Sequence, residues 1–194
     1  MGHRFHPDHM DRLLGEERRG VLPPDRILDL LAPNPADTVA DIGAGPGYFT
    51  LPLAERTQGT VYAIDVEPRM LEVLQSRWPG GMPARVRPLV GAADDLPLPD
   101  GSVDRLLYSL VLHEVDALDE ALQEARRVLR LNGRMVVIEW HPEATDQKGP
   151  PKQERLNPDR LAQQMMRCGL KVESLLDVSA FHYALVAAPQ THAR

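Results

Sequence analysis

The residues that could do chemistry begin with three glycines at alternate positions, Gly43, Gly45 and Gly47, which follow the apolar run Val39-Ala40-Asp41-Ile42. A tight turn from strand to helix needs one glycine. Three let the main chain approach a ligand closely and offer helix-start N–H groups to it. Dinucleotide folds space these glycines as G-x-G-x-x-G, with the second admitting a pyrophosphate and the third packing a helix. Here the spacing is G-x-G-x-G, and an acidic residue, Asp41, stands two positions before the first glycine. A carboxylate is ill placed beside a pyrophosphate and well placed beside an ammonium group, so the ligand is zwitterionic or cationic at that end. Asp65 closes the second apolar run, Tyr62-Ala63-Ile64-Asp65, where a carboxylate can accept both hydroxyls of a ribose. Together these residues point to a nucleoside with a charged tail.

A second group of candidates handles protons. His113 and Glu114 lie just past the fourth apolar run, and Glu139 and His141 at the end of the fifth, the end at which parallel sheets open toward ligands. Each of these can act on an acceptor that carries a proton or make a structural hydrogen bond. Cys168 is the single cysteine, so neither an internal disulfide nor a thiolate metal cluster is available. His3, His6 and His9 recur every third position, but Pro7 breaks the run, and no metal site is expected of them.

The bulk numbers bound the rest. A chain of 194 residues with 43% hydrophobic residues suits one core. A net charge of −6 and an aromatic content of 5% leave little for phosphate neutralisation or base stacking, so no nucleic-acid partner is expected. No stretch reaches the roughly 18 apolar residues of a membrane span, and the charged start lacks a signal-peptide core, so a cytoplasmic protein is expected. Oligomeric state is left open.

Elements that could position these residues follow from periodicity. Apolar runs at Thr38–Ile42, Thr60–Asp65, Ala84–Val90, Val103–Ser109 and Arg134–Trp140 read as strands. Amphipathic stretches at Tyr48–Arg56, Pro68–Arg77, Ala117–Arg130 and Asp159–Cys168 read as helices, and Pro23 and Pro24 open an earlier one. Asn132 and Gly133 supply a left-handed stop for the helix before the fifth strand. The last two runs, Lys171–Val178 and Phe181–Ala187, stand too close for a parallel crossover and predict an antiparallel hairpin. The fold class is therefore α/β, a Rossmann-like doubly wound, seven-stranded, mostly parallel sheet ending in that hairpin. Residues 1–22 read as an N-terminal arm, and Phe5, Met10, Leu13 and Leu14 within it suggest a lid over a domain spanning residues 23–194.

Five motifs in order, Asp41 to Gly47, Asp65, Gly91 to Asp104, Leu112-His113-Glu114-Val115 and Ala125 to Arg134, resemble the class I S-adenosylmethionine-dependent methyltransferases. The "type 11" branch, which includes ubiquinone and menaquinone C-methyltransferases, is the nearest in look. The resemblance implies a methyl transfer from S-adenosylmethionine to a small-molecule acceptor, leaving S-adenosylhomocysteine. It places Gly43, Ala44, Gly45 and Gly47 against the methionine part, Asp41 near the ammonium group, Asp65 on the ribose and Val66 against adenine. The family commonly has an Asp where this chain has Ala92, which shifts adenine recognition to Ala93 or Asp94. Ser109 and Leu110 would approach the methionine from the other side, and His113 and Glu114 are the candidates for acceptor chemistry. A nicotinamide-dependent oxidoreductase and a catalytically silent nucleoside binder are the alternative readings.

Overall fold

A computed structural model describes residues 13–145 and 149–190. Two N-terminal helices, α1 (Glu16–Val21) and α2 (Pro24–Leu31), lead into the sheet. Pro24 occupies the first turn of α2, where its missing N–H costs nothing, and Ile27, Leu28 and Leu31 form its buried face. The strands are β1 (Val39–Ile42), β2 (Val61–Asp65), β3 (Val86–Val90), β4 (Val103–Ser109), β5 (Leu129–Trp140), β6 (Leu170–Asp177) and β7 (His182–Pro189). Helix α3 (Thr50–Arg56) joins β1 to β2, α4 (Pro68–Ser76) joins β2 to β3, α5 (Leu118–Val128) precedes β5, and α6 (Pro158–Arg167) precedes β6.

All seven strands form one sheet in the order β3-β2-β1-β4-β5-β7-β6. The pairs from β3 through β5 are parallel, and β7 runs antiparallel between β5 and β6. The sheet is doubly wound: strand alternation sends Ala40, Leu106, Tyr108, Met135 and Val137 to one core, with α5 and α6, and Val39, Leu107, Val136 and Ile138 to another, with α2 and α3. The predicted sheet class is what forms. The chain moves outward from β1 to β3 and then returns to the far side of β1 as β4, so the strand order reverses between β1 and β4, and the carboxyl ends at such a reversal are where sheets of this class take ligands.

The link from β3 to β4, residues 91–102, contains no helix; an isolated bridge between Ala92 and Asp95 and the burial of Leu96 and Leu98 fix it. Two local expectations are corrected. The first is the stop at Asn132-Gly133. Helix α5 ends at Val128, Leu129 is already extended, and β5 runs through Gly133. The register between β4 and β5 jumps from Val103↔Leu129 to Arg105↔Arg134, so the β5 side carries extra residues in a bulge. A side chain at Gly133 would put its Cβ 2.9 Å from the Arg130 carbonyl oxygen and 3.2 Å from that of Asp104, so the glycine serves close main-chain approach. Second, the closing hairpin turns through Val178 to Phe181, four residues rather than about two, between the ends of β6 and β7.

Candidate functional site

The glycine loop sits at the β1/β4 reversal, and the structure accounts for each glycine. Gly43 has φ +66°, and a Cβ there would lie 2.2 Å from the Val111 side chain, which packs directly on it. At Gly47 a Cβ would meet Leu51 and Leu74 at 2.8 Å. Gly45 differs: its φ is +53°, and the nearest atom to an added Cβ is Leu13 Cδ1 at 3.7 Å, an ordinary van der Waals contact, so this buried glycine lies under the N-terminal segment and is required by its backbone conformation rather than by a close approach. The expectation that the loop offers its N–H groups to a ligand is corrected at four positions. Gly43 and Ala44 donate to the Ile64 carbonyl at 2.8 and 3.0 Å, Gly47 donates to Ala44, and Gly45 donates to Asp65 Oδ2 at 2.7 Å. These donors already serve the sheet and the turn, which removes the features that would hold a phosphate.

Asp41 lies on the α2/α3 side of β1, 2% exposed, where the Thr50 hydroxyl donates to its Oδ2 at 2.7 Å. Burial pushes its carboxyl up to about 7, against the opposing pull of that hydrogen bond and of Arg18. A buried carboxylate with one hydrogen bond among the described residues is poised for a cation. Asp65 is 9% exposed; besides Gly45 it accepts from the Glu67 N–H at 2.9 Å. It is thus a strut between the glycine loop and the start of α4, with lone pairs left on both oxygens. Burial raises its pKa, and the backbone hydrogen bonds oppose the rise. Beside it Val66 is exposed, Ala93 is buried and Asp94 lies exposed in the turn between Ala92 and Asp95.

At the end of β4, Ser109 is buried with no hydrogen-bond partner for its Oγ among the described residues. Leu110 adopts φ +61°, with its N–H donating to the Ile138 carbonyl at 2.8 Å. A leucine in the left-handed region costs on the order of 1–3 kcal/mol and is held by its surroundings. This kink aims the following 3₁₀ turn, Leu112–Glu114, across the end of β5. There His113 Nδ1 lies 2.7 Å from Glu139 Oε2, and the His113 N–H donates to Glu139 Oε1 at 3.3 Å. Glu139 is fully buried, and His113 Nε2 stands 3.8 Å from Glu114 Oε1. Burial alone would lower the imidazole pKa, but the charge and hydrogen bond of Glu139, with Glu114 and Glu154 nearby, outweigh it and raise the value. Sequence reasoning found His113, Glu114 and Glu139 one by one and missed that Glu139 serves His113. It placed no role on Arg18, whose guanidinium stacks 4.6 Å from the Tyr48 ring centre on the Asp41 side. His141 points elsewhere, 3.8 Å from Asp177. His3, His6 and His9 lie outside the described residues.

With this geometry in hand, comparisons with known proteins are informative. A methyltransferase-domain family model matches residues 40–137. An uncharacterized methyltransferase of Mycobacterium bovis is 40% identical over 126 residues, covering 65% of this chain and 48% of that protein. A demethylmenaquinone methyltransferase of Tropheryma whipplei is 38% identical over 114 residues, 58% of this chain and 46% of its own length. The chain therefore spans about half the length of the curated relatives it matches. A crystal structure of a SAM-dependent methyltransferase from Aquifex aeolicus superimposes with a TM-score of 0.86 at 26% identity, covering 95% of this chain and 98% of that one.

Proposed function

Because the chain belongs to the methyltransferase-domain family, we propose that it transfers a methyl group from S-adenosylmethionine to a small-molecule acceptor. One observation carries this reading: a buried Asp41, with a single hydrogen bond among the described residues, beside a glycine loop whose N–H groups at Gly43, Ala44, Gly45 and Gly47 are already committed. Such a loop suits an ammonium-bearing tail and not a pyrophosphate. The residues fit the cofactor: Asp41 faces its ammonium group, the turn through Gly43, Ala44, Gly45 and Gly47 lies along its tail, Asp65 accepts from the ribose, Val66 and Ala93 flank adenine, and Ser109 Oγ and Leu110 border the methionine. Bound there, the sulfonium would supply an electrophilic methyl group, and the protein's task is to align the acceptor and exclude water.

His113 holds or removes the acceptor's proton, with Nε2 as the working atom because Nδ1 is engaged by Glu139. Glu139 is the positioning residue, as a carboxylate on one ring nitrogen fixes the tautomer and strengthens the other nitrogen as a base. Glu114 lies beside Nε2 and takes part in the same exchange. Val111, packed on Gly43, ties this acceptor side to the glycine loop. The N-terminal arm, residues 1–22, would serve as a lid over the domain formed by residues 23–194; its Phe5 and Met10 lie outside the described residues, and Leu13 and Leu14 within them. The work would be done in the cytoplasm. Among the described residues no helix is long and apolar enough to cross a membrane.

Calorimetric titration tests the reading. S-adenosylmethionine and S-adenosylhomocysteine should both bind, and NAD should not. Binding of NAD alone would replace it with the nicotinamide-dependent alternative, and binding of the sulfur nucleosides without transfer to any of a broad acceptor panel would leave a nucleoside binder.

A further inference from the structure

Helix α1 lies against the glycine loop at three points. Leu13, just before it, reaches to 3.7 Å from where a Gly45 Cβ would be. Its Arg18 guanidinium lies over Tyr48, and the Tyr48 hydroxyl donates to the Leu22 carbonyl at 2.7 Å. Arg18 Nε is shut off from solvent and has no hydrogen-bond partner among the described residues. Burial pulls the guanidinium down to about 10, still charged at neutral pH, while Tyr48 and Asp41 pull the other way. Ser109 Oγ, also buried and without a described partner, stands on the same side of the sheet. The structure therefore brings a half-buried cation, with its Nε shut off from solvent, and a buried anion to the tail end of the candidate site, and leaves polar valence on the cation unused among the described residues. Desolvating a charge is costly unless it is paired and hydrogen-bonded.

We propose that Arg18 binds the carboxylate of the cofactor's amino-acid tail, so that α1 forms part of the ligand site and selects zwitterionic nucleosides. The assignment rests on the reading of the glycine loop as the S-adenosylmethionine site. Asp41 takes the ammonium group and Arg18 the carboxylate, which converts two half-satisfied charges into an alternating set of four. Guanidinium is suited to the task, since its planar fork matches a carboxylate with two parallel hydrogen bonds. Tyr48 sets the plane of that fork by stacking under it. No carboxylate-binding residue of this kind lies in the glycine motif itself, and the segment that supplies it precedes the stretch matched by the family model.

The test removes the carboxylate from the ligand and the guanidinium from the protein in turn, with affinity read by calorimetry. On the unaltered protein, S-adenosylmethionine should bind about tenfold or more tighter than decarboxylated S-adenosylmethionine, which keeps the ammonium group, as expected for hydrogen bonds between charged groups. Arg18→Gln should abolish that preference and leave 5′-methylthioadenosine, which lacks the whole tail, within about twofold of its original affinity. Arg18→Lys should recover part of the preference. Equal affinity for the two forms on the unaltered protein overturns the proposal without any variant, and so does an Arg18→Gln protein that loses all three ligands alike or none. If the unaltered protein binds none of the three, the cofactor reading falls as well, and the two failures are thereby told apart.

Discussion

Asp41 is a carboxyl group whose protonation the ligand should control. In the ligand-free protein its pKa lies at about 7, so below that pH it is largely protonated. An ammonium group placed against it favours the charged form. S-adenosylhomocysteine binding at pH 6 to 7 should release a proton, and the apparent heat should change with the ionisation enthalpy of the buffer. Asp41→Asn should remove that dependence; a buffer-independent heat in the unaltered protein would mean that the ammonium group sits elsewhere. At His113 the sign is opposite to that of a merely buried histidine, because Glu139 raises the pKa that burial would lower. Glu139→Gln should therefore move the His113 titration, followed by NMR, to lower pH, and should move the acid limb of any methyl-transfer profile the same way. A histidine whose titration stays put would assign Glu139 to the fold alone.

The elements respond to substitution according to what their backbones approach. In β5, Gly133→Ala would force a methyl group to within 2.9 Å of one carbonyl oxygen and 3.2 Å of another. Main-chain atoms in a bulge cannot move aside as a side-chain tip can, so a loss of about 1–3 kcal/mol is expected in urea denaturation. A neutral outcome would show that the bulge relaxes. Helix α1 is short and presents no fully buried residue of its own, so its amides should exchange early. Added S-adenosylhomocysteine should slow exchange across Leu13 to Val21 if this segment closes on the ligand. Unchanged rates there, alongside slowed rates at Gly43 to Gly47, would separate the segment from the site.

For the whole molecule, the pH dependence of stability follows from the same groups. Asp41 and Asp65 have folded pKa values above their ordinary value of 3.8, so the folded state holds more protons than the unfolded one and stability falls as pH rises through that interval. His113 is also raised above 6.5; its contribution is complete below that pH and is lost as pH passes its folded value. The melting temperature of the ligand-free protein should accordingly fall between about pH 5 and pH 8. Saturating S-adenosylhomocysteine should raise it throughout, and most at the upper end, where Asp41 is charged. A ligand-free melting temperature that climbs over this range would show that these buried groups do not dominate.

Much of this molecule is decided locally along the chain. Apolar runs bounded by turn residues define the strands, and a short link between the last two runs forces an antiparallel pair, so the sheet class was legible from the sequence. The placement of the glycine loop just after β1 and of Asp65 at the end of β2 was legible for the same reason, since it depends on residues within a few positions. What only the tertiary structure decided are pairings across distance in the chain. Gly45 meets Asp65 across 20 positions and His113 meets Glu139 across 26, and Arg18 reaches the Asp41 side through the placement of α1. The fates of the loop N–H groups, and the work of Gly133 in a bulge rather than a helix stop, were likewise invisible. Periodicity reports which face of an element is apolar, whereas strand order and register determine which polar groups on different elements share one buried volume.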